Sequence, residues 1–204
     1  MEVTGKITSS SKDLAKHKLR DLVEKFKQST KSHHTEQDTI RIFILPLLEL
    51  LGWNIYDVYE VRQGSFPYHL TKSIAVNYRL PKHPDCVVSF DGVPRIVLEC
   101  KKLAYGLIDK YCQNVVGLLD ETDYAKAKFA VLTSFAETIV YDGTKIVYEE
   151  NSNILYDGIE VYNALTKKYD CTRIEPLISF RNPTEYLSKF DVLWADLSKE
   201  SGKE

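Results

Sequence analysis

No run in these 204 residues approaches the roughly 18 consecutive apolar residues needed to cross a bilayer, so no membrane partner is expected. The opening Met1-Glu2-Val3-Thr4-Gly5-Lys6 lacks the apolar stretch of a secretory signal, and a soluble, cytoplasmic chain is the expectation. Cysteine is scarce and poorly spaced for a metal: Cys86, Cys100, Cys112 and Cys171 form no CxxC pair, which argues against zinc and for buried free thiols. No glycine-rich loop ending in Lys-Ser/Thr occurs, which excludes the usual cradle for a nucleotide cofactor. Repeats and low-complexity tracts are absent too.

What is present is a lopsided charge. The net charge is only −2, yet residues 1–34 hold eight basic against four acidic side chains, and residues 62–84 hold Arg62, Lys72, Arg79 and Lys82 with no acid. Residues 85–204 hold fourteen basic against twenty acidic side chains, and all five histidines lie in the basic part. Such asymmetry suits one face that meets a polyanion and another that faces water, with Arg62, Lys72, Arg79 and Lys82 as candidate phosphate contacts. A pair of solvated basic segments is the alternative.

The candidate chemistry lies at Pro84-Asp85 and Glu99-Cys100-Lys101. Cys86 to Phe90 and Arg95 to Leu98 read as apolar strands, and Asp91-Gly92-Val93-Pro94 reads as the turn between them. Asp85 and Glu99 then fall near opposite ends of one hairpin. Side chains alternate along a strand, so Glu99 and Lys101 share one face while Leu98 and Cys100 point to the core. Two hard oxygen ligands with an amine beside them suit a Mg²⁺ site. A surface hairpin carrying ordinary charges is the competing reading.

Ser11 to Ser29 reads as an amphipathic helix with Leu14, Leu22 and Phe26 on one face. A second helix starts at Thr35, with Asp38 in a capping-box position, a buried stripe of Ile40, Phe43, Ile44, Leu47, Leu48 and Leu51, a kink at Pro46 and a stop at Gly52. Val58 to Gln63 reads as a strand. Asp109 to Glu121 reads as a helix that crosses over to a strand at Lys128 to Thr133, which makes the sheet mixed. Thr138 to Tyr141 and Lys145 to Tyr148 read as a hairpin turned by Asp142-Gly143. Gly158 to Tyr169 and Pro183 to Leu197 read as C-terminal helices, and residues 198–204 as a frayed polar tail. Trp53 and Trp194 read as core residues.

The order acidic helix, strand, Pro-Asp strand, Glu-x-Lys strand, helix, strand resembles the PD-(D/E)xK nuclease superfamily. Glu36 to Trp53, Ile96 to Lys102 and Phe129 to Ser134 are similar to the nuclease domain of the DNA-cleaving subunit of type I restriction enzymes, over about residues 35 to 142. The size and composition also resemble stand-alone archaeal and archaeal-virus nucleases, including junction resolvases. The resemblance implies an α/β fold with a restriction-endonuclease-like core, a mixed central β-sheet flanked by helices. It divides the chain into a basic helix (1–34), a nuclease core (35–150) and a C-terminal helical extension (151–204).

It also implies Mg²⁺ or Mn²⁺ held by Asp85, Glu99, the Cys100 backbone carbonyl and Glu36. Lys101 is then the catalytic lysine, and Gln113 matches a glutamine on the following helix. The tyrosine that relatives place four residues after that glutamine is Gly117 here. The implied activity is metal-dependent hydrolysis of DNA phosphodiester bonds, on branched DNA or on replication or repair intermediates. The apolar residues Phe66, Tyr68, Leu70, Ile74, Val76 and Tyr78, interleaved with basic ones, suggest a homodimer that sets two sites in a fixed relation. Two rivals are a catalytically silent DNA-binding or assembly protein and an enzyme acting on a small phosphorylated metabolite.

Overall fold

Asp91 and Gly92 have φ of 49° and 77°, the two left-handed residues that a type I′ turn requires and that Asp-Gly accepts at low cost. Around that turn the expected hairpin forms, but the turn is shorter than expected: Val93 and Pro94 belong to the second strand, Phe90 pairs with Val93 and Cys86 with Leu98, and a bulge lies at Val88/Ser89. The computed structural model describes residues 7–29, 34–64, 84–103, 111, 127–148, 154–163, 168–169 and 174–203. Its strands are β1 (Val61–Gln63), β2 (Cys86–Phe90), β3 (Val93–Cys100), β4 (Phe129–Thr133), β5 (Thr138–Asp142), β6 (Ile146–Tyr148), β7 (Ile154–Tyr156), β8 (Ile159–Asn163), β9 (Lys168–Tyr169) and β10 (Ile178–Phe180).

Six of them form one mixed sheet in the order β1-β2-β3-β4-β5-β10. Only β3 and β4 run parallel, with Ile96 beside Phe129 and Cys100 beside Thr133. Parallel neighbours need a crossover connection, as the sequence suggested. The helix expected at Asp109 to Glu121 lies outside the described residues, Tyr111 excepted. Residues of one parity along the sheet, among them Cys86, Val88, Ile96, Leu98, Cys100, Phe129, Val131 and Val140, form the main core with the helices. Val87, Val97, Ala130, Leu132, Ile139 and Tyr141 point the other way and are buried as well.

Three helical segments lie N-terminal to the sheet. The first, α1 (Ile7–Ser29), buries Ala15, Leu19, Leu22, Val23 and Phe26, one helical face. Leu14, expected on that face, is 56% exposed, since it stands a full 100° step from Ala15. Next, α2 (Glu36–Thr39) begins with the expected capping box: the Thr35 hydroxyl accepts from the Asp38 N–H and the Asp38 carboxylate accepts from the Thr35 N–H. A π-helical turn over Ile40–Ile44 links it to α3 (Leu45–Leu50). Pro46 explains that turn, because it has no N–H to offer Ile42 and its ring would strike that carbonyl in a regular helix. The helix widens instead, and the Leu45 N–H reaches the Ile40 carbonyl. Gly52, with φ of 90°, ends α3 in a Schellman motif, the Trp53 N–H bonding to Leu48 and the Gly52 N–H to Glu49.

The C-terminal third differs from the expectation in three places. First, β6 does not form a hairpin with β5. Gly143 to Lys145 is a 3₁₀ turn and the Gly143 N–H bonds to the Lys128 carbonyl at 2.7 Å. The chain thereby leaves β5 and enters a separate antiparallel sheet, β6-β7-β8-β9. Second, within the stretch from Gly158 to Tyr169 expected as helix, Ile159–Asn163 and Lys168–Tyr169 are strands. Asp157 and Gly158, with φ of 51° and 78°, make another type I′ turn that pairs Tyr156 with Ile159.

Third, the expected helix from Pro183 is two pieces, α4 (Glu185–Ser188) and α5 (Phe190–Leu197). The Asn182 side chain accepts from the Thr184 N–H in a local turn instead of capping a long helix, and Lys189, at φ −106°, separates the two. The polar tail is docked over its described part: Ser198 is buried, the Lys199 N–H bonds to Leu51, and the Ser201 carbonyl accepts from Arg95 at 2.6 Å. Trp53 is core, as expected, its indole N–H bonded to the Leu197 carbonyl at 2.9 Å. Trp194 packs against that core.

Candidate active site

The antiparallel register that pairs Cys86 with Leu98 puts Asp85 opposite Glu99, one step beyond the last paired residues. Position 99 shares its sheet face with 97 and 101, so the Glu99 and Lys101 side chains lie side by side. The Lys101 ammonium folds back along its own strand and donates to Glu99 Oε1 at 2.6 Å and to the Cys100 carbonyl at 2.8 Å. From the first turn of α2, Glu36 Oε2 comes within 3.5 Å of the same nitrogen. Asp85 Oδ2 accepts from the Cys100 N–H at 2.7 Å, which ties the start of β2 to the end of β3. The Lys101 N–H in turn donates to the Thr133 carbonyl at 2.8 Å, extending the parallel ladder to β4. Four residues from three elements thus converge at one end of the sheet.

The surroundings are half-buried, with the Lys101 and Glu99 side chains 15% and 14% exposed and Glu36 at 41%. Burial and the neighbouring charges of Glu99 and Glu36 push Asp85 up to about 6, against the lowering effect of the Cys100 N–H and of Lys101. Burial by itself would lower the Lys101 pKa. The hydrogen bond that the ammonium donates to Glu99 and the charges of Glu99, Glu36 and Asp85 outweigh it, and the Lys101 pKa is held above its ordinary value. Cys86 and Cys100, whose positions alternate with the acids, are buried free thiols in the core, as expected.

One neighbour was not foreseen. The Lys101 nitrogen lies 5.5 Å from the centre of the Tyr111 ring, within cation–π range. The available signal was an aromatic residue two positions before Gln113 on the helix expected to follow Lys101. Arg62, paired with Val87 in β1, shares the sheet face of Asp85 and Glu99. Gln113, Lys72, Arg79 and Lys82 lie outside the described residues, as do Phe66, Tyr68, Leu70, Ile74, Val76 and Tyr78.

Among the described residues no three His, Cys, Asp or Glu side chains stand in ready metal-ligating arrangement. The donor chemistry nevertheless suits a hard divalent cation, since carboxylate and carbonyl oxygens of Glu99, Glu36 and Cys100 already converge on one positive charge. Among the described residues no helix is long and apolar enough to cross a membrane. Comparison with protein-family models, curated proteins and solved structures finds no match to this chain.

Proposed function

We propose that this protein is a metal-dependent DNA endonuclease of the PD-(D/E)xK type, with a restriction-endonuclease-like core. The observation that carries the reading is the convergence of Glu36, Asp85, Glu99 and Lys101 at one end of the β2-β3 hairpin. Asp85, Glu99, Glu36 and the Cys100 carbonyl are the groups that would hold Mg²⁺ or Mn²⁺. When bound, such an ion supplies a nucleophilic water near neutral pH and charge relief on the phosphorus oxygens. Lys101, whose carboxylate neighbours keep it protonated, acts through its charge: it orients the water and the phosphate and offsets developing negative charge. A role as general base would require the opposite pKa shift.

DNA is the proposed partner because Arg62 shares the acidic face and the acid-free stretch runs on from it. The proposed homodimer follows from the need for two sites to cut both strands of a duplex or junction.

The test is cleavage of plasmid, single-stranded and branched DNA with Mg²⁺, Mn²⁺ or chelator. Wild type is expected to cut only with metal, and Asp85→Ala, Glu99→Ala and Lys101→Ala not at all, with a milder loss for Glu36→Ala. Full activity in any of the first three would refute the assignment. DNA binding without cleavage by the wild type would make this a silent DNA-binding protein instead.

A further inference from the structure

Resting on that reading, we infer that Lys101 is the resident cation of the metal-free site, and that a divalent ion binds by displacing its ammonium from Glu99 and Cys100. Glu99 and Lys101 are i and i+2 on β3 and share a face. The lysine stem is long enough to return along the strand, and its nitrogen sits 2.6 Å from Glu99 Oε1, 2.8 Å from the Cys100 carbonyl and 3.5 Å from Glu36 Oε2. These are the oxygens the proposed function gives to the metal. A dication and an ammonium cannot occupy the same oxygens, because the two positive charges would stand at contact distance in a half-buried site.

The exchange is feasible because the ammonium has somewhere to go. Its nitrogen is already 5.5 Å from the centre of the Tyr111 ring, whose π face holds a cation without using any of the ligand oxygens. Lys101 then does two jobs: its single charge partly offsets the carboxylates of Glu99 and Glu36 in the empty site, and it stands beside the phosphate once the oxygens are taken. The site loads at the expense of an internal ion pair, so metal affinity is weaker than the oxygens alone would give.

The experiment is calorimetric titration of Mn²⁺ into the full-length protein without DNA, comparing wild type with Lys101→Met, Lys101→Gln and Lys101→Arg. Removing the competing charge is expected to tighten Mn²⁺ binding by at least roughly tenfold in Met and Gln, the scale on which one charge within about 4–6 Å acts on another. Lys101→Arg, which keeps the charge, is expected not to tighten it. The neutral variants should also melt below wild type in chelator and recover with Mn²⁺. Two neutral variants guard against one failing to fold. Unchanged or weaker binding in a folded neutral variant overturns the inference. The nuclease reading survives that result if wild-type binding is lost in Asp85→Ala, and falls with the inference if neither wild type nor the neutral variants bind Mn²⁺.

Discussion

Replacing Asp85 with asparagine should stabilise the metal-free protein at neutral pH, even though it removes a proposed ligand. Burial and the charges of Glu99 and Glu36 raise the Asp85 carboxyl from its ordinary 3.8 to about 6. A folded-state pKa above the unfolded one favours the protonated form: the stability it brings is fully present below about pH 4 and is lost as pH rises through about 6. Above that range the ionised carboxylate is a cost to folding. At about 1.4 kcal/mol per pKa unit the full effect approaches 3 kcal/mol, and partial solvation reduces it to about 1–2 kcal/mol.

Asparagine keeps the shape and can still accept the Cys100 N–H, now 2.7 Å from Oδ2, but carries no charge. For a domain of this size the gain corresponds to roughly 3–6 °C in melting temperature. The assay is thermal unfolding in chelator across pH 4 to 8. The variant should match wild type near pH 4, pull ahead through pH 6 and hold a constant lead above it. A lead that is absent or reversed at pH 7.5, or one that does not change with pH, would refute this account of the site's electrostatics.

Three further outcomes are expected. Tyr186→Phe deletes the hydroxyl bonded to Thr138, which also bonds Thr133, in a fully buried chain; it should cost about 1–2 kcal/mol in denaturant unfolding. Gly143→Ala would put a Cβ 2.2 Å from the Ala127 carbonyl oxygen, a backbone atom that cannot swing aside, and should destabilise by about 1–3 kcal/mol. Arg62→Ala should weaken DNA binding across all sequences and reduce the slope of log affinity against log salt by about one, while an unchanged slope would put the DNA elsewhere.

The acidic end of the hairpin was legible because two strong local rules meet there. Asp-Gly between apolar runs set the turn and the pairing, and strand alternation set the face shared by Glu99 and Lys101. The stripe from Ile40 to Leu51 was equally plain, since its spacing is helical and Thr35 and Gly52 bound it. The expectation of a helix from Gly158 overlooks that Asp157-Gly158 between Tyr156 and Ile159 carries the same turn signal as Asp91-Gly92. The Asp142-Gly143 pair misled in the opposite direction. There the Gly143 N–H is claimed by Lys128, a tertiary hydrogen bond that no local pattern announces. The ammonium's hold on Glu99 Oε1 and the Cys100 carbonyl, and Tyr111 beside it, depend on rotamers and on tertiary packing, neither of which is written in spacing alone.

The most direct test of the proposed site is anomalous diffraction from crystals saturated with Mn²⁺. The account predicts one peak bonded to Asp85, Glu99 and the Cys100 carbonyl, at about 2.0–2.2 Å as for small hard divalent ions, with the Lys101 nitrogen withdrawn from Glu99 Oε1. Saturated crystals with no peak at those oxygens, and Lys101 still 2.6 Å from Glu99, would contradict it.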